Sequence, residues 1–303
     1  MNNDCVKMYR TVDSANNGSP ATWVVEKPDG TILDTTNSPT QGLQEAMNYA
    51  AANGYNFKKY GGGIASKNGQ DVSILFLSGT LVIPPLQTAH WEIDGTIVLD
   101  SGITIDSMMT SKLIFTGQLV SGGGCDVAVK LKPTNLLPQD QGAGAVITSS
   151  IIHLPCISMS GRISATCIEL DTSAHPIQDN NFHFMEPNNN NVQGSVGVRV
   201  IHGSGFSGNK LTVIGAHGAE GTTICNGINA SLPGAGNSYG NSWYVSMSPH
   251  GGVGLEDFSW QDEFTLSIAG TPLIGIRAPS GIAASNWRYR VLRNNGATQF
   301  VGR

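Results

Sequence analysis

The sequence predicts an all-β solenoid, a chain wound into stacked coils of two or three short parallel strands. Two observations carry that reading. The first is a recurrence within Gly197 to Val245. Gly197-Val198-Arg199-Val200 returns as Gly227-Ile228-Asn229-Ala230, and Gly208-Asn209-Lys210-Leu211-Thr212-Val213 returns as Gly240-Asn241-Ser242-Trp243-Tyr244-Val245. A strand–turn–strand–turn unit recurring about every 30 residues marks a repeat architecture.

The second observation is that the recurrence extends both ways. The first strand type aligns on Val129, Ile168, Val198, Ile228, Leu255 and Ile276, in steps of 39, 30, 30, 27 and 21 residues. The second aligns on Ile152, Phe182, Leu211, Trp243, Phe264 and Trp287, in steps of 30, 29, 32, 21 and 23. Such steps leave no room for a strand, a crossover helix and loops at every turn. They do hold one coil, so strands of one type stack in parallel. A β-sandwich also repeats its turn signals, but it has no reason to keep two strand types in order through six cycles.

Composition agrees. The chain has 303 residues, 38 of them Gly, and 13% are charged, which suits one large all-β domain rich in tight turns. A net charge of −5 argues against nucleic acid as a partner. The uncharged Asn, Ser, Thr and Gly surface suits carbohydrate or protein better than a membrane, and no apolar run reaches membrane-spanning length. Met1-Asn2-Asn3-Asp4 lacks the basic start and apolar core of a secretory signal. The five cysteines have no C-x-x-C spacing, so neither a zinc site nor a disulfide framework is expected, and small packing residues are the reading.

Taken in order, residues 1–37 read as an N-terminal hairpin arm. Trp23-Val24-Val25 and Thr31-Ile32-Leu33 flank Lys27-Pro28-Asp29-Gly30, a turn tetrapeptide. Residues 38–303 read as the solenoid domain. It opens with a helix over 38–54, with Ser38 as N-cap, Pro39 first in the helix, Gln41 as capping-box partner and Gly54 as the stop. Leu43, Met47, Ala50 and Ala51 make its apolar stripe, fit to cover the open end of the stacked strands. Strands are expected at 73–78, 80–83, 90–94, 96–100, 102–106, 112–116 and 118–121. Residues 132–149 and 187–195 read as excursions from the wall, the second because Asn runs form turns rather than strands.

These features together carry a resemblance. An amphipathic helix (LQEAMNYAAANG), then ILFLSGTLVI, then coils marked by G-I/V and G-N-x-Φ-x-Φ, resemble the right-handed parallel β-helix, or pectin lyase-like, superfamily. The arm and cap helix are similar to those of trimeric phage tailspikes and polysaccharide depolymerases. The resemblance spans about residues 38 to 290 and is one of pattern, not of a catalytic motif. It implies an all-β, right-handed parallel β-helix with a short N-terminal α-helix cap, a homotrimer, an extended groove for a polysaccharide or oligosaccharide, and an extracellular or virion-associated setting. It carries over no catalytic residues.

The strand alternation itself supplies the candidates. If the aligned apolar residues face inward, the next residue faces out. That gives one ladder of Lys130, Glu169, Arg199, Asn229, Glu256 and Arg277, and a second of His153, His183, Thr212, Tyr244, Thr265 and Arg288. The first is either a solvated face with charges paired between rungs, or, with His153 and His183 nearby, an acid/base and anion-binding cluster. Two imidazoles on adjacent rungs should lower each other's pKa. In a lyase, Arg199 would neutralise a uronate, His183 would take the proton and Tyr244 would give one. A hydrolase needs two carboxylates. The dense acidic stretch is Leu255 to Glu263, where Glu256 or Asp257 would work with Asp262 while Trp260 stacks on a sugar. The plainer reading there is an acidic turn with Trp260 at a subunit interface. Lys130 and Glu169 would contact substrate. The small residues Ala128, Cys167, Gly197, Gly227, Gly254 and Gly275 read as outward, letting a second subunit or a ligand approach the wall. No Walker loop, nucleophile elbow or H-E-x-x-H occurs, and no cofactor or metal is implied. The function expected is binding and cleavage of an extracellular polysaccharide, by lyase or hydrolase chemistry. The rival is a non-catalytic structural or adhesion fibre.

Overall fold

The computed structural model describes residues 5–10, 23–35, 42, 45–46, 49–50, 53, 55–59, 63–64, 72–75, 79–83, 91–93, 95–100, 111–115, 117–121, 125–133, 147–148, 150–159, 165–188, 195–201, 205–216, 220–224, 238–248, 252–257, 259, 262–270, 272–278, 289–294 and 298–302. Among them the fold is all-β and dominated by parallel sheets. A nine-stranded sheet runs from Val72–Leu75 through Val127–Leu131, Thr166–Asp171, Val196–Ile201, Glu220–Ile224 and Val253–Glu256 to Thr298–Gly302. An eight-stranded sheet runs from Gly79–Ile83 through Ile151–Leu154, Asn181–Met185, Lys210–Ala216, Ser242–Met247 and Glu263–Ile268 to Tyr289–Asn294. A five-stranded and a four-stranded parallel sheet complete the set.

The chain visits these sheets in a fixed cyclic order. Val127–Leu131 of the nine-stranded sheet is followed by Ile147–Thr148 of the four-stranded, Ile151–Leu154 of the eight-stranded and Cys156–Met159 of the five-stranded; Thr166–Asp171 then returns to the first. Each strand therefore pairs with its counterpart one cycle later. Ile152 pairs with Phe182, Phe182 with Leu211, Leu211 with Trp243 and Trp243 with Phe264. These residues, with Val129, Ile168, Val198, Leu255 and Ile276 of the nine-stranded sheet, belong to one buried cluster. Each side chain of this size taken from water contributes about 1.5–3 kcal/mol. Aromatic rings add a stack within it. Trp243 lies 6.0 Å from Phe264, and Phe264 lies 5.5 Å from Tyr289, at interplanar angles of 20° and 15°.

Two rungs differ from the sequence reading. The partner of Val198 and Leu255 is Thr222, not Ile228. Glu220-Gly221-Thr222-Thr223-Ile224 ends in β-branched residues suited to a strand, and residues 225–237 lie outside the described residues. The partner of Phe264 is Tyr289, not Trp287, so Arg290 rather than Arg288 partners Thr265. Trp287 and Arg288 lie outside the described residues.

The small-residue column also changes role. Ala128 and Cys167 are fully buried. A Cβ on Gly254 would meet Gly275 O at 2.5 Å, Ile268 Cδ1 at 3.2 Å and Met247 Sδ at 3.4 Å. Its described members therefore face the core, not a second subunit or a ligand, and Gly227 lies outside the described residues. The residue pairing skips this position on successive strands, passing from Val127–Thr166 to Val129–Ile168 and from Val253–Ile274 to Leu255–Ile276. At that break in the alternation a large side chain would meet the facing sheet.

The N-terminal turn forms as expected. Gly30 N–H donates to Lys27 O, and Leu33 N–H donates to Val25 O, both at 2.9 Å. Gly30 has φ 84°, the left-handed region where Gly costs least. Trp23–Glu26 also pairs antiparallel with Cys5–Arg10, which pairs in parallel with Asn56–Lys59. Val6, Met8 and Val25 join the buried cluster. Of the 38–54 helix, Glu45, Ala46, Tyr49, Ala50 and Asn53 are helical. Its remaining residues, Gly42 apart, lie outside the described residues, and among those described there is no helical cap over the sheets. Residues 102–106 also lie outside. Pro187, read as the start of an excursion, begins a two-residue strand at the edge of the five-stranded sheet, where proline is tolerated.

Candidate functional site

Register builds an exposed column on the eight-stranded sheet. Ile114, His153, His183, Thr212, Tyr244, Thr265 and Arg290 are successive partners. Buried residues flank every rung from Ile114 to Thr265, so these side chains face away from the core. Tyr244 is 45% exposed. Asn181, Lys210 and Ser242 form an exposed column beside it. His153 and His183 are direct partners, with ring centroids 5.1 Å apart and tilted by 37°. Burial, then the nearby His183 and Lys112, hold the His153 imidazole below its ordinary pKa. A charged imidazole there loses water and faces like charge, so the neutral base is the form favoured at neutral pH.

Glu169 and Arg199 stand elsewhere, on the nine-stranded sheet, so the single cluster expected of these four residues becomes two ladders on two sheets. The charges of the nine-stranded sheet are mostly paired. Lys130 Nζ lies 2.9 Å from Glu169 and 4.0 Å from Asp171, Lys132 lies 3.5 Å from Asp171, and Arg277 lies 3.4 Å from Glu256. Glu169 and Glu256 are buried beneath these partners. Lys130 and Glu169, expected to contact substrate, are thus engaged with each other. Arg199 differs: its Nε is shut off from solvent and has no hydrogen-bond partner. The position expected of Asn229 belongs to Thr223 in the register.

The acidic stretch is not an open pair of carboxylates. Asp257 and Asp262 are fully buried. Asp257 accepts the Ser259 N–H at 2.7 Å and hydroxyl at 2.6 Å on one oxygen, and the Tyr289 hydroxyl on the other. It follows directly after strand Val253–Glu256 and closes the turn there. Asp262 accepts Asn241 Nδ2 at 2.8 Å and Trp243 Nε1 at 3.0 Å. Both carboxylates serve as acceptors that hold neighbouring rungs together. Trp260 lies outside the described residues.

Sequence reasoning missed a buried amide ladder. Asn180 donates to Asn209 Oδ1 through its backbone N–H and its amide, both at 3.0 Å. Asn209 does the same to Asn241 Oδ1 at 2.9 Å, and Asn241 to Asp262. The second amide hydrogens of Asn209 and Asn241 reach Ile177 O and Phe206 O. The signal was the Asn of the G-N-x-Φ-x-Φ marker. Gly208 and Gly240 precede two of these residues at φ 66° and 67°, and Asp179 precedes the third at φ 55°.

Cys125 and Cys167 are buried free thiols, in keeping with packing roles. Among the described residues no three or more His, Cys, Asp or Glu side chains gather as a metal site, and no helix is long and apolar enough to cross a membrane. No protein-family model, no curated protein and no solved structure matches this chain.

Proposed function

We propose that the chain is a right-handed parallel β-helix of the pectin lyase-like kind, similar to phage tailspikes and polysaccharide depolymerases, and that it binds an extended polysaccharide along the outer wall of its eight-stranded sheet. The observation that carries this is the unbroken register of His153, His183, Thr212, Tyr244 and Thr265. Hydroxyls, imidazoles and one exposed aromatic ring repeat at the strand spacing, about 4.8 Å. A repeating polymer lying along the stack meets them in turn. The cyclic order of strands through the parallel sheets supports the coil. Assembly as a homotrimer and an extracellular or virion-associated setting rest on the resemblance.

A second reading is cleavage by elimination, favoured by the depressed pKa of His153. The neutral imidazole takes the C5 proton of a uronate, the electron pair forms the C4–C5 double bond, and the glycosidic oxygen leaves with a proton from water, since Tyr244 stands three rungs, about 14 Å, from His153. Hydrolysis by Glu256, Asp257 and Asp262 has less support, since all three are engaged in internal contacts.

The test is a panel of acidic and neutral polysaccharides, followed by retardation in affinity gels, by ultraviolet absorbance of unsaturated products and by reducing ends. Retardation without product supports binding alone. A rise in both absorbance and reducing ends supports elimination. Reducing ends alone return the carboxylates to consideration. No retardation across the panel overturns the binding proposal and leaves the structural fibre.

A further inference from the structure

We propose that His153 and His183 together hold one divalent transition-metal ion of the zinc, nickel or copper class. The inference goes beyond glycan binding and does not depend on it. It stands on three observations. The two residues are direct partners across adjacent parallel strands, so the rigid ladder, not a loop, sets the distance between them. Their ring centroids lie 5.1 Å apart. Among the described residues neither ring makes a hydrogen bond, so the ring nitrogens are not committed to any of them.

The distance fits a shared ion. A zinc–imidazole bond is about 2.0–2.1 Å, which puts each ring centre about 3.2 Å from the metal. At tetrahedral or octahedral angles two such rings have centres about 4.5–5.3 Å apart. The rings already stand at this separation, and holding the ion would require side-chain rotations that aim a nitrogen from each at one point between them. Both are half-buried, which leaves the outer coordination positions open to water or to a ligand oxygen. Thr212, the next partner up the ladder, adds a hydroxyl on the same side. Lys112 is the opposing charge. It is exposed, and its flexible stem lets the ammonium move into water. Imidazole suits zinc, copper and nickel, whereas magnesium and calcium prefer oxygen.

Such an ion would clamp two neighbouring rungs at the centre of the exposed wall. It would bind the folded chain and not the unfolded one, and so raise the unfolding temperature with the logarithm of its concentration once that exceeds the dissociation constant.

The experiment uses the full metal-free chain. Zinc chloride is titrated calorimetrically into the wild type, His153→Gln and His183→Gln, with magnesium chloride as control. Binding of one ion at this site is expected to weaken at least tenfold in either variant, with no response to magnesium. Copper chloride is then added at substoichiometric amounts while the imidazole C–H signals are followed by NMR. The signals of His153 and His183 should broaden before those of His90, His175, His202, His217 and His250. Unchanged affinity in both variants, earlier broadening at another histidine, or no zinc binding by the wild type overturns the proposal. The copper experiment needs no variant, so the proposal stays testable if a substitution disturbs folding.

Discussion

Asn209 gives Asn241 two hydrogen bonds to a single oxygen, one from its backbone N–H and one from its amide, both at 2.9 Å. The two residues are 32 positions apart and both are buried. The same amide also reaches Ile177 O, at 3.0 Å. One side chain therefore ties three segments of the chain and satisfies backbone groups where the wall turns a corner. Buried polar groups left without partners cost about 1–3 kcal/mol each.

Asn209→Ala removes the acceptor of the Asn180 backbone N–H and amide and the amide donor to the carbonyl of Ile177. The expected loss is about 3 kcal/mol of stability, read as a lower denaturant midpoint with little change in slope. Asn209→Leu should be no milder, since shape cannot replace the acceptor.

Asp262 ends the ladder as a pure acceptor, with Asn241 on one oxygen and Trp243 Nε1 on the other. Asp262→Asn points an amide donor at one of these donors. Stability should fall by about 1–3 kcal/mol and the emission of Trp243 should shift, while polysaccharide retardation of the folded fraction stays unchanged. Loss of all cleavage with stability intact would instead return Asp262 to catalysis.

Gly254→Ala places a methyl 2.5 Å from Gly275 O, a backbone atom that cannot rotate away. Overpacking of this kind costs about 1–3 kcal/mol. Gly240→Ala meets nothing within 4 Å and bears only the left-handed φ of 67°. Thermal melts should rank Gly254→Ala as the more damaging of the two.

Asp171 sets an acid limb on stability. Burial pulls its pKa up, but the Ser173 hydroxyl and backbone N–H, with Lys132 and Lys130, more than offset that and hold the carboxyl below its ordinary 3.8. The folded state thus prefers the ionised form. Its contribution is fully present above the unfolded carboxyl's pKa and is lost as pH falls through the lowered folded value. Asp171→Asn should flatten the decline of the unfolding midpoint in acid and leave its shape near neutrality unchanged.

Tyr244→Ala removes the exposed ring from the proposed binding wall. Polysaccharide affinity should drop about tenfold, the equivalent of about 1.4 kcal/mol. Leu273→Ala, exposed in the bend that precedes strand Ile274–Ala278 of the nine-stranded sheet, should leave affinity unchanged.

Much of this architecture could be read from the chain. The spacing of Ile152, Phe182, Leu211, Trp243 and Phe264 named true partners, because a chain that revisits the same parallel sheet must return a large apolar residue to one buried column each time. The outward His153–His183–Thr212–Tyr244 column followed from strand alternation alone. The errors came where alternation breaks or a motif recurs by chance. Gly227-Ile228 repeats the look of Gly197-Val198, yet the register selects Thr222. Gly254 and Cys167 read as outward because period two was carried through a position that the pairing skips.

The chain by itself determined that short strands repeat, that they stack in parallel and most of the apolar residues that fill the core, since these depend on local spacing and solubility in water. Only the tertiary structure decided what the polar residues do. Asp257 meets Tyr289 from 32 positions away and Asp262 meets Asn241 from 21. A buried acceptor and an exposed catalytic acid are the same letter in a sequence. Which one it becomes depends on donors that the pairing of distant strands brings to it.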